Sequence, residues 1–599
     1  MMKSVECSNI RSCRSVRGLE WEVFSQDESL IANLMSRLGV SELISRMIYN
    51  RNVRSIDEAK VLLQPMIKDL MPDPRQMLDM DKATQRVVRA LNDEEKITIF
   101  ADYDVDGATS GALLHRFFDV IGEKVDMYVP SRFSEGYGPN NGAFDRIKYS
   151  GTSLVIIVDC GSVAFEPLAY AKKIGLDVIV IDHHVTDVVL PQTVALLNPN
   201  RYDESFEPKT IAAVAVVFLF LVALRSEMRA NNWFDEKLPE PDLMEFLDVV
   251  ALGTVCDLMP LIPLNRAFIR QGLKLIRAGS NYGISALLEA CKIRCNIQTH
   301  HLGYTIGPRI NAGGRLDDSS LGFKLLSAKS REEAIVIAEA LETLNTERKS
   351  LEALTLSDAI QSIIKEKIAN VVISIGEGWH QGVLGIIASR LKEDYHKPTF
   401  IMTIDENTRI AKGSVRSISG VDAAMIIQEA KDNGMLIEGG GHPMAAGFSL
   451  EEARIGEFAD FIEKRVIEML VAGDNLLGEA KKIMADGVVS IESIRPELFN
   501  EILKLEPFGM ANPKPYFIID NVLIRNFNQN KGICFVHISD FFNHVLGLKC
   551  LCFTSTSSSV VEFLKNHQDK RVKVLGNLQA NNLYDGQINF VIEDICVYE

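Results

Sequence analysis

The sequence predicts an α/β protein built around an open parallel sheet, and three observations carry that prediction. Ile97–Ala101 is an apolar run that ends in Asp102-Tyr-Asp104-Val-Asp106-Gly107. Leu154–Val158 ends in Asp159-Cys-Gly161, and Leu176–Ile181 ends in Asp182-His183-His184. Largely apolar runs of this length, broken only by Thr98 and Asp177, are what strands covered on both faces look like. Each releases acids or histidines at its C-terminal end, where an open parallel sheet builds its site. Leu252-Gly-Thr-Val-Cys-Asp257 adds one more acid. Carboxylates gathered along one edge repel one another unless cations sit between them, so the pattern predicts a metal centre. About six candidate ligands of mixed oxygen and nitrogen type suit two divalent ions better than one. A single Asp after a strand would read as the N-cap of the next helix. Four clusters in succession exceed that explanation.

The elements follow in order. Residues 1–90 read as mostly helical, with prolines at 65, 72 and 74 before a helix around Asp81–Asn92. Residues 91–265 form the sheet domain, with strands expected at 96–101, 124–129, 154–158 and 176–181. The helix after the first strand is expected to begin near Gly107, where small residues allow close packing and free N–H groups face the site. Residues 266–368 read as a helical connector, closing on a long charged helix from about Arg331 to Lys367 that serves as a solvated spacer. A second α/β domain is expected over 369–475, with strands at 370–375, 398–404 and 409–415 and helices at 382–394, 420–433 and 451–472. A bridging segment, 476–514, leads to short β-type runs over 515–599. Turns are expected at Asn530-Lys-Gly532 and Tyr584-Asp-Gly586, and the pattern is that of a small barrel.

A chain of 599 residues must hold several domains, since single cores stop growing at roughly 250–300 residues. The net charge of −16 excludes a wholly basic protein that coats nucleic acid. It leaves room for a nucleic-acid enzyme with a local basic groove around a carboxylate-rich site. The ten cysteines are scattered, and only Cys291 and Cys295 have a metal-like spacing, with no second pair to complete a zinc site. They read as reduced thiols of a cytoplasmic protein, with Cys160 and Cys256 as packing residues beside candidate ligands. Met1–Gly18 lacks the apolar stretch of a secretory signal. The longest apolar run, Ile211–Leu224, is shorter than the roughly 20 residues that cross a bilayer and reads as a buried helix.

The spacing of Asp102, Asp104 and Asp106 puts alternate carboxylates on one face of an extended segment, so two or three can point into the site. Arg309 and Arg315 lie in a Gly-rich context where planar guanidinium groups could clasp a phosphate. The competing reading is an ion pair with Asp317 or Asp318. His380 and His442 also sit among glycines, which let a backbone approach a nucleotide closely. In the barrel region Tyr516, Phe517, Phe527, Phe535, Phe541 and Phe542 interleave with Arg525, Lys531, His537 and Lys549, a pattern of single-strand stacking platforms. From Pro515 onward, however, there are seven Lys plus Arg against eight Asp plus Glu, so most of these aromatics are expected in the barrel core.

Taken together, the four clusters resemble the DHH phosphoesterase superfamily, and further motifs resemble its single-strand-specific exonuclease branch. Gly303-Tyr-Thr-Ile-Gly-Pro-Arg309-Ile-Asn311-Ala-Gly-Gly-Arg315 is similar to that branch's arginine–asparagine motif. Gly378-Trp-His380-Gln-Gly382 and Gly439-Gly-Gly-His442-Pro-Met-Ala-Ala-Gly447 resemble two signatures of its DHH-associated domain. Leu505-Glu-Pro-Phe508-Gly-Met-Ala-Asn512-Pro-Lys-Pro515 resembles the segment leading into a C-terminal oligonucleotide-binding (OB) barrel. Ala511 stands where the family carries Gly, and Phe100 where superfamily phosphatases often carry a metal-binding His.

The resemblance implies a fold of DHH catalytic domain, connector, DHH-associated domain and OB-type barrel. It implies 5′-to-3′ hydrolysis of single-stranded DNA in recombination and repair. Two Mn²⁺ or Mg²⁺ ions are implied, with a metal-held hydroxide as nucleophile. Asp104 and Asp106 would serve different metals, with Asp102 alongside them. Asp159 would bridge, and His183 and Asp257 would complete the second site. Asp182 would orient a neighbouring ligand, and His184 would contact the scissile phosphate. Arg309, Asn311, Arg315, His380, Ser414, Arg416 and His442 would hold substrate. A single-strand-binding protein and a helicase are the implied partners. The alternatives are a phosphodiesterase of short oligonucleotides or cyclic dinucleotides, and a catalytically silent scaffold, against which the retained ligands speak.

Overall fold

The computed structural model describes residues 15–24, 27–293, 296–472, 482–530, 532–554, 558–580 and 588–598. Cys7, Cys13, Cys295, Lys531, residues 555–557 and the turn expected at Tyr584-Asp-Gly586 lie outside them. The chain divides into two compact units, one of Met1–Val129, Tyr137–Gly307 and Ala480–Glu599, the other of Pro130–Gly136 and Pro308–Glu479.

The first unit contains a five-stranded sheet in the order Asp126–Tyr128, Ile97–Ala101, Leu154–Val158, Asp177–Ile181, Ala195–Leu197. Every pairing is parallel. Ile97–Ala101 and Leu154–Val158 are buried along their whole length, which is why those runs carry no polar alternation. Phe144, Ile147, Leu168 and Ala171 pack one face, together with Phe100. Phe100 thus fills core, stacked on Tyr128 at 5.4 Å between ring centroids. The helices Val105–Val120 and Ala213–Ala230 pack against the sheet and against each other, and Leu247–Cys256 packs on both. The apolar run at Ile211–Leu224 falls largely in the buried helix Ala213–Ala230, and no described helix is long and apolar enough to cross a membrane. The fifth strand, Ala195–Leu197, is too short to stand out in sequence.

The C-terminal barrel belongs to the same unit. Phe517–Asn530, Ile533–Asp540 and Gly547–Phe553 form an antiparallel meander. Arg571–Ala580 closes onto Phe517–Leu523, and Ile588–Val597 pairs with both neighbours. Of the barrel aromatics, Phe517 is buried, whereas Phe535 and Phe542 are exposed. Leu34, Leu43, Ile44, Met47 and Ile48 share one core with Ile519, Val536, Val572 and Phe590, so the N-terminal helices pack on the barrel. That N-terminal segment also contains a strand, Glu20–Val23, parallel to Lys482–Ala485. Cys160, Cys256, Cys534, Cys550 and Cys552 are free thiols, whereas Cys596 is disulfide-bonded, against the expectation of ten reduced cysteines.

The second unit holds a sheet in the order Glu438–His442, Ala445–Glu451, Ile410–Arg416, Thr399–Ile404, Val372–Glu377. Only the last pairing is parallel. Ile426, Ile427, Phe458 and Ile462 cover one face, and Val383, Leu384 and Ile387 the other. The Gly-rich stretch at 438–447, for which the sequence pattern predicts no element, forms a β-hairpin. The charged helix spans Arg331–Gln361, ending before the expected Lys367.

Candidate metal centre

Asp102 is buried directly after Ile97–Ala101. The chain does not continue extended through Asp106, as the alternating spacing suggested. Asp104 is the N-cap of Val105–Val120, and its Oδ1 accepts from the Asp106 and Gly107 N–H groups at 2.8 and 3.1 Å. Three acids in five residues therefore converge because the backbone bends, with a capping carboxylate fixing the bend. Gly107 is required there, since a Cβ would lie 2.3 Å from the Asp102 carbonyl oxygen. Asp106, in the first turn, is gripped by the start of the neighbouring helix Ala213–Ala230. Its Oδ2 accepts from Ala213 N–H at 2.7 Å and its Oδ1 from Val214 N–H at 3.0 Å. These are the opening amides of Ala213–Ala230, where the helix dipole favours an anion.

Asp159 follows Leu154–Val158 with φ of 61°, a left-handed conformation that an Asp tolerates at some cost. His183 follows Asp177–Ile181. Its Nε2 stands 3.5 Å from Asp159 Oδ1, 3.5 Å from Asp257 Oδ2 and 3.8 Å from Asp106 Oδ2. Asp257 arrives from the C-terminal end of the helix Leu247–Cys256, not from a strand. Its Oδ2 is buried without a hydrogen-bond partner. Ligand atoms of three sets lie within 4.8 Å of one another: Asp106, His183 and Asp257; Asp102, Asp104 and Asp159; and Asp159, His183 and His184. Asp104 and Asp106 thus fall in different sets, and Asp159 is shared between two.

Asp182 faces the other way. Its Oδ1 accepts from the His183 and His184 N–H groups at 2.7 and 3.2 Å and lies 2.7 Å from His184 Nδ1, while Oδ2 accepts from Ser162 N–H at 3.1 Å. Burial would push this carboxyl up, but those bonds hold it well below the usual carboxylate range. Burial likewise lowers His184, yet Asp182 outweighs it and lifts the imidazole to about 9. His183, buried beside His184, falls to about 4 and offers a neutral ring nitrogen. Burial first and neighbouring acids second push Asp106 and Asp159 well up and Asp257 to about 7. Acids that resist ionising beside a neutral imidazole and an unsatisfied carboxylate oxygen are the donor set a divalent cation relieves, so these residues fit the two-ion expectation.

Sequence reasoning missed what holds these groups. Asn198 Nδ2 donates to Ser162 Oγ and to the His184 carbonyl, and Asn200 Nδ2 to the His183 carbonyl. The Tyr137 hydroxyl donates to the Asp159 carbonyl at 3.4 Å, with its ring 6.4 Å from His184. Asn198-Pro-Asn200 directly follows Ala195–Leu197, so recognising that short strand would have placed both asparagines at the site's edge.

The second unit has a cleft of about 360 Å³ lined by Arg132, Lys412, Ser414, Arg416 and a row of glycines. Gly385 makes room for it, since a Cβ there would lie 2.9 Å from an Arg416 nitrogen and 3.2 Å from Ser414 Oγ. Burial, with Arg132 nearby, lowers the Arg416 guanidinium. Arg132 and Lys412 carry no signal in the sequence. His380 caps the helix Gln381–Tyr395, with Nδ1 accepting from Gly382 N–H at 3.1 Å. Arg315 Nη1 donates to the Gly382 carbonyl at 2.9 Å. Arg309 is buried and paired with Glu342, at 3.2 Å from its Nη2, which is the ion-pair reading with a different acid. Asn311 is half-buried on the same helix, and His442 is exposed at the end of Glu438–His442, outside the cleft lining.

A parallel sheet whose C-terminal edge gathers this carboxylate–histidine cluster defines a protein of the DHH class. The DHH family N-terminal domain matches residues 96–254, the DHHA1 domain 367–468 and the RecJ OB domain 485–594. The single-stranded-DNA-specific exonuclease RecJ of Salmonella typhimurium is 37% identical over 488 residues, covering 79% of this chain and 82% of that protein. That of Bacillus subtilis is 33% identical over 523 residues, covering 86% of this chain and 63% of its own length. The crystal structure of RecJ from Thermus thermophilus in complex with Mn²⁺ superposes with a TM-score of 0.77 at 25% identity, covering 97% of this chain and 80% of that one. The chain belongs to the RecJ family.

Proposed function

We propose that this protein is a metal-dependent exonuclease that hydrolyses phosphodiester bonds of single-stranded DNA from the 5′ end. The observation that carries the reading is the ring of Asp106, Asp159 and Asp257 around His183 Nε2 at 3.5–3.8 Å. The names of the relatives and the Mn²⁺ and Mg²⁺ complexes of RecJ from Thermus thermophilus support it. Asp106, His183 and Asp257 would hold one cation and Asp102, Asp104 and Asp159 the other. Once bound, two such ions polarise the phosphoryl group and lower the pKa of water enough for it to attack.

The protein's own groups do the rest. The helix amides at Ala213 and Val214 aim Asp106 and offset part of the burial that pushes its carboxyl up. His184, kept protonated by Asp182, would donate to the scissile phosphate as charge builds on it. In the second unit, Arg416, Lys412 and Ser414 offer donors for a phosphate, and the adjacent glycines let backbone approach it. Arg315, His380, Asn311 and His442 would support that grip, and Arg309 would do so through the helix it anchors. A cytoplasmic role in recombination and repair beside a single-strand-binding protein and a helicase fits the same reading.

End-labelled single-stranded DNA, duplex DNA and dinucleotides, each incubated with Mn²⁺ or chelator, test the proposal. Mononucleotide release from the single strand alone, abolished by chelator, is the expected result. Turnover confined to dinucleotides would favour the short-oligonucleotide phosphodiesterase instead.

A further inference from the structure

The loops leaving the C-terminal ends of Leu154–Val158, Asp177–Ile181 and Ala195–Leu197 are tied into one ledge. Asn198 bridges Ser162 and the His184 carbonyl at 2.8 Å each, Asn200 holds the His183 carbonyl at 2.6 Å, and Tyr202 N–H donates to Thr186 Oγ1 at 3.2 Å. The ledge therefore begins at the two histidines of the metal cluster. Its solvent side carries a group of apolar side chains: Val163, Phe165, Val185, Val188, Val189 and Tyr202 are exposed, Val185 and Tyr202 to 74% each, beside the exposed acids Glu166, Asp187 and Asp203. Surface loops are ordinarily polar, and a group of exposed apolar side chains marks an interaction surface.

Charge narrows what covers it. From Val185 to Leu190 there is no Lys or Arg. The one acid, Asp187, turns its Oδ1 back onto Val188 N–H at 2.8 Å. A phosphate backbone finds no cation in this segment, whereas the apolar face of an unpaired base finds both aliphatic and aromatic surface. We propose that the ledge seats the bases of the unpaired strand next to the scissile phosphodiester, against Val185, Val188 and Val189 and stacked on Tyr202. This rests on the nuclease reading and deepens it. Paired bases in a duplex already spend their faces on stacking, so only a single strand can occupy the ledge.

The test is the full-length Val188→Ser/Val189→Ser variant, whose substitutions are on exposed positions. KM for an oligonucleotide is expected to rise about five- to tenfold, because apolar contact with bases is lost. Turnover of a dinucleotide should stay within about twofold, since the metal ligands are untouched. Binding measured in chelator should weaken with an unchanged dependence on salt, because no phosphate contact is removed. DNA carrying 5-iodouracil near its 5′ end should photocross-link to Tyr202 or Phe165. An unchanged KM, a salt slope reduced by about one, or cross-links confined to other residues would overturn the ledge; the first is also what a protein partner on this surface would give. Failure of the unmodified protein to cleave DNA or dinucleotide would instead count against the nuclease reading.

Discussion

Asp159 and His183 are the residues on which the chemistry turns, because each lies in two of the three ligand sets. Asp159→Ala or His183→Ala is expected to lower hydrolysis by at least about a thousandfold, a scale typical of losing a group that stabilises the transition state. The circular dichroism spectrum should stay native, and turnover within tenfold of the unmodified protein in either folded variant would reject the assignment. His300 makes a different prediction, of stability. Burial, His301 and Lys514 hold its ring down to about 4, from an ordinary 6.5, and its Nδ1 is buried without a partner. The unfolded chain binds this proton at a pH where the folded chain does not. Stability is therefore complete above 6.5 and falls as pH drops from about 6.5 to about 4. The urea midpoint should decline across that window, and less steeply in His300→Gln; parallel slopes for the two proteins would contradict it.

At the level of elements, the metal cluster depends on helices approaching closely enough to share an acid. Gly253, on Leu247–Cys256, is the contact point, since a Cβ there would lie 2.4 Å from Thr109 Oγ1, 2.7 Å from Val214 Cγ1 and 3.0 Å from Asp106 Oδ1. Replacing a helical Gly by Ala ordinarily gains up to about 1 kcal/mol. Overpacking costs about 1–3 kcal/mol, so here the second effect wins. Gly253→Ala should lower the chemical denaturation midpoint and cut kcat through the displaced Asp106. Gly456→Ala, in a helix with open space around it, should be neutral or stabilising. Equal behaviour of the two variants would show that the close approach does not matter. The strand positions were legible because apolar runs and turn residues are local. The bend at Asp104 was not, since an alternating acid pattern reads equally as strand or as helix cap.

For the whole first unit, Arg266 links distant parts of the chain. It is 1% exposed and donates to the carbonyls of Leu62, Leu505, Glu506 and Pro507, joining the catalytic unit's helix Pro263–Ala278 to the segment before the barrel. Asn512 donates to the Leu505 and Pro507 carbonyls, and its Oδ1 accepts from Arg51 Nε. The Leu505–Pro515 motif thus acts as a joint whose carbonyls are satisfied by Arg266 from the helix Pro263–Ala278 and by its own Asn512. Arg266→Leu removes the donor to the Leu62 and Glu506 carbonyls, while Asn512 still serves those of Leu505 and Pro507, and should cost about 3 kcal/mol. Its unfolding should also lose cooperativity, with the barrel melting apart from the catalytic sheet. A single transition within about 0.5 kcal/mol of the unmodified protein would refute the joint, because that is the scatter of ordinary surface substitutions.

The parallel sheet, the barrel, and the acids and histidines at the strand ends are all legible in the chain's residues, because apolar periodicity and residue chemistry are properties of short segments. It took the folded chain to reveal which helix amides hold Asp106, that Asp257 comes from a helix end, that Arg309 is committed to Glu342, and that Asn198 and Asn200 brace the histidines. Those pairings join residues far apart in the chain. What settles them is the satisfaction of buried donors and acceptors, which no local pattern records.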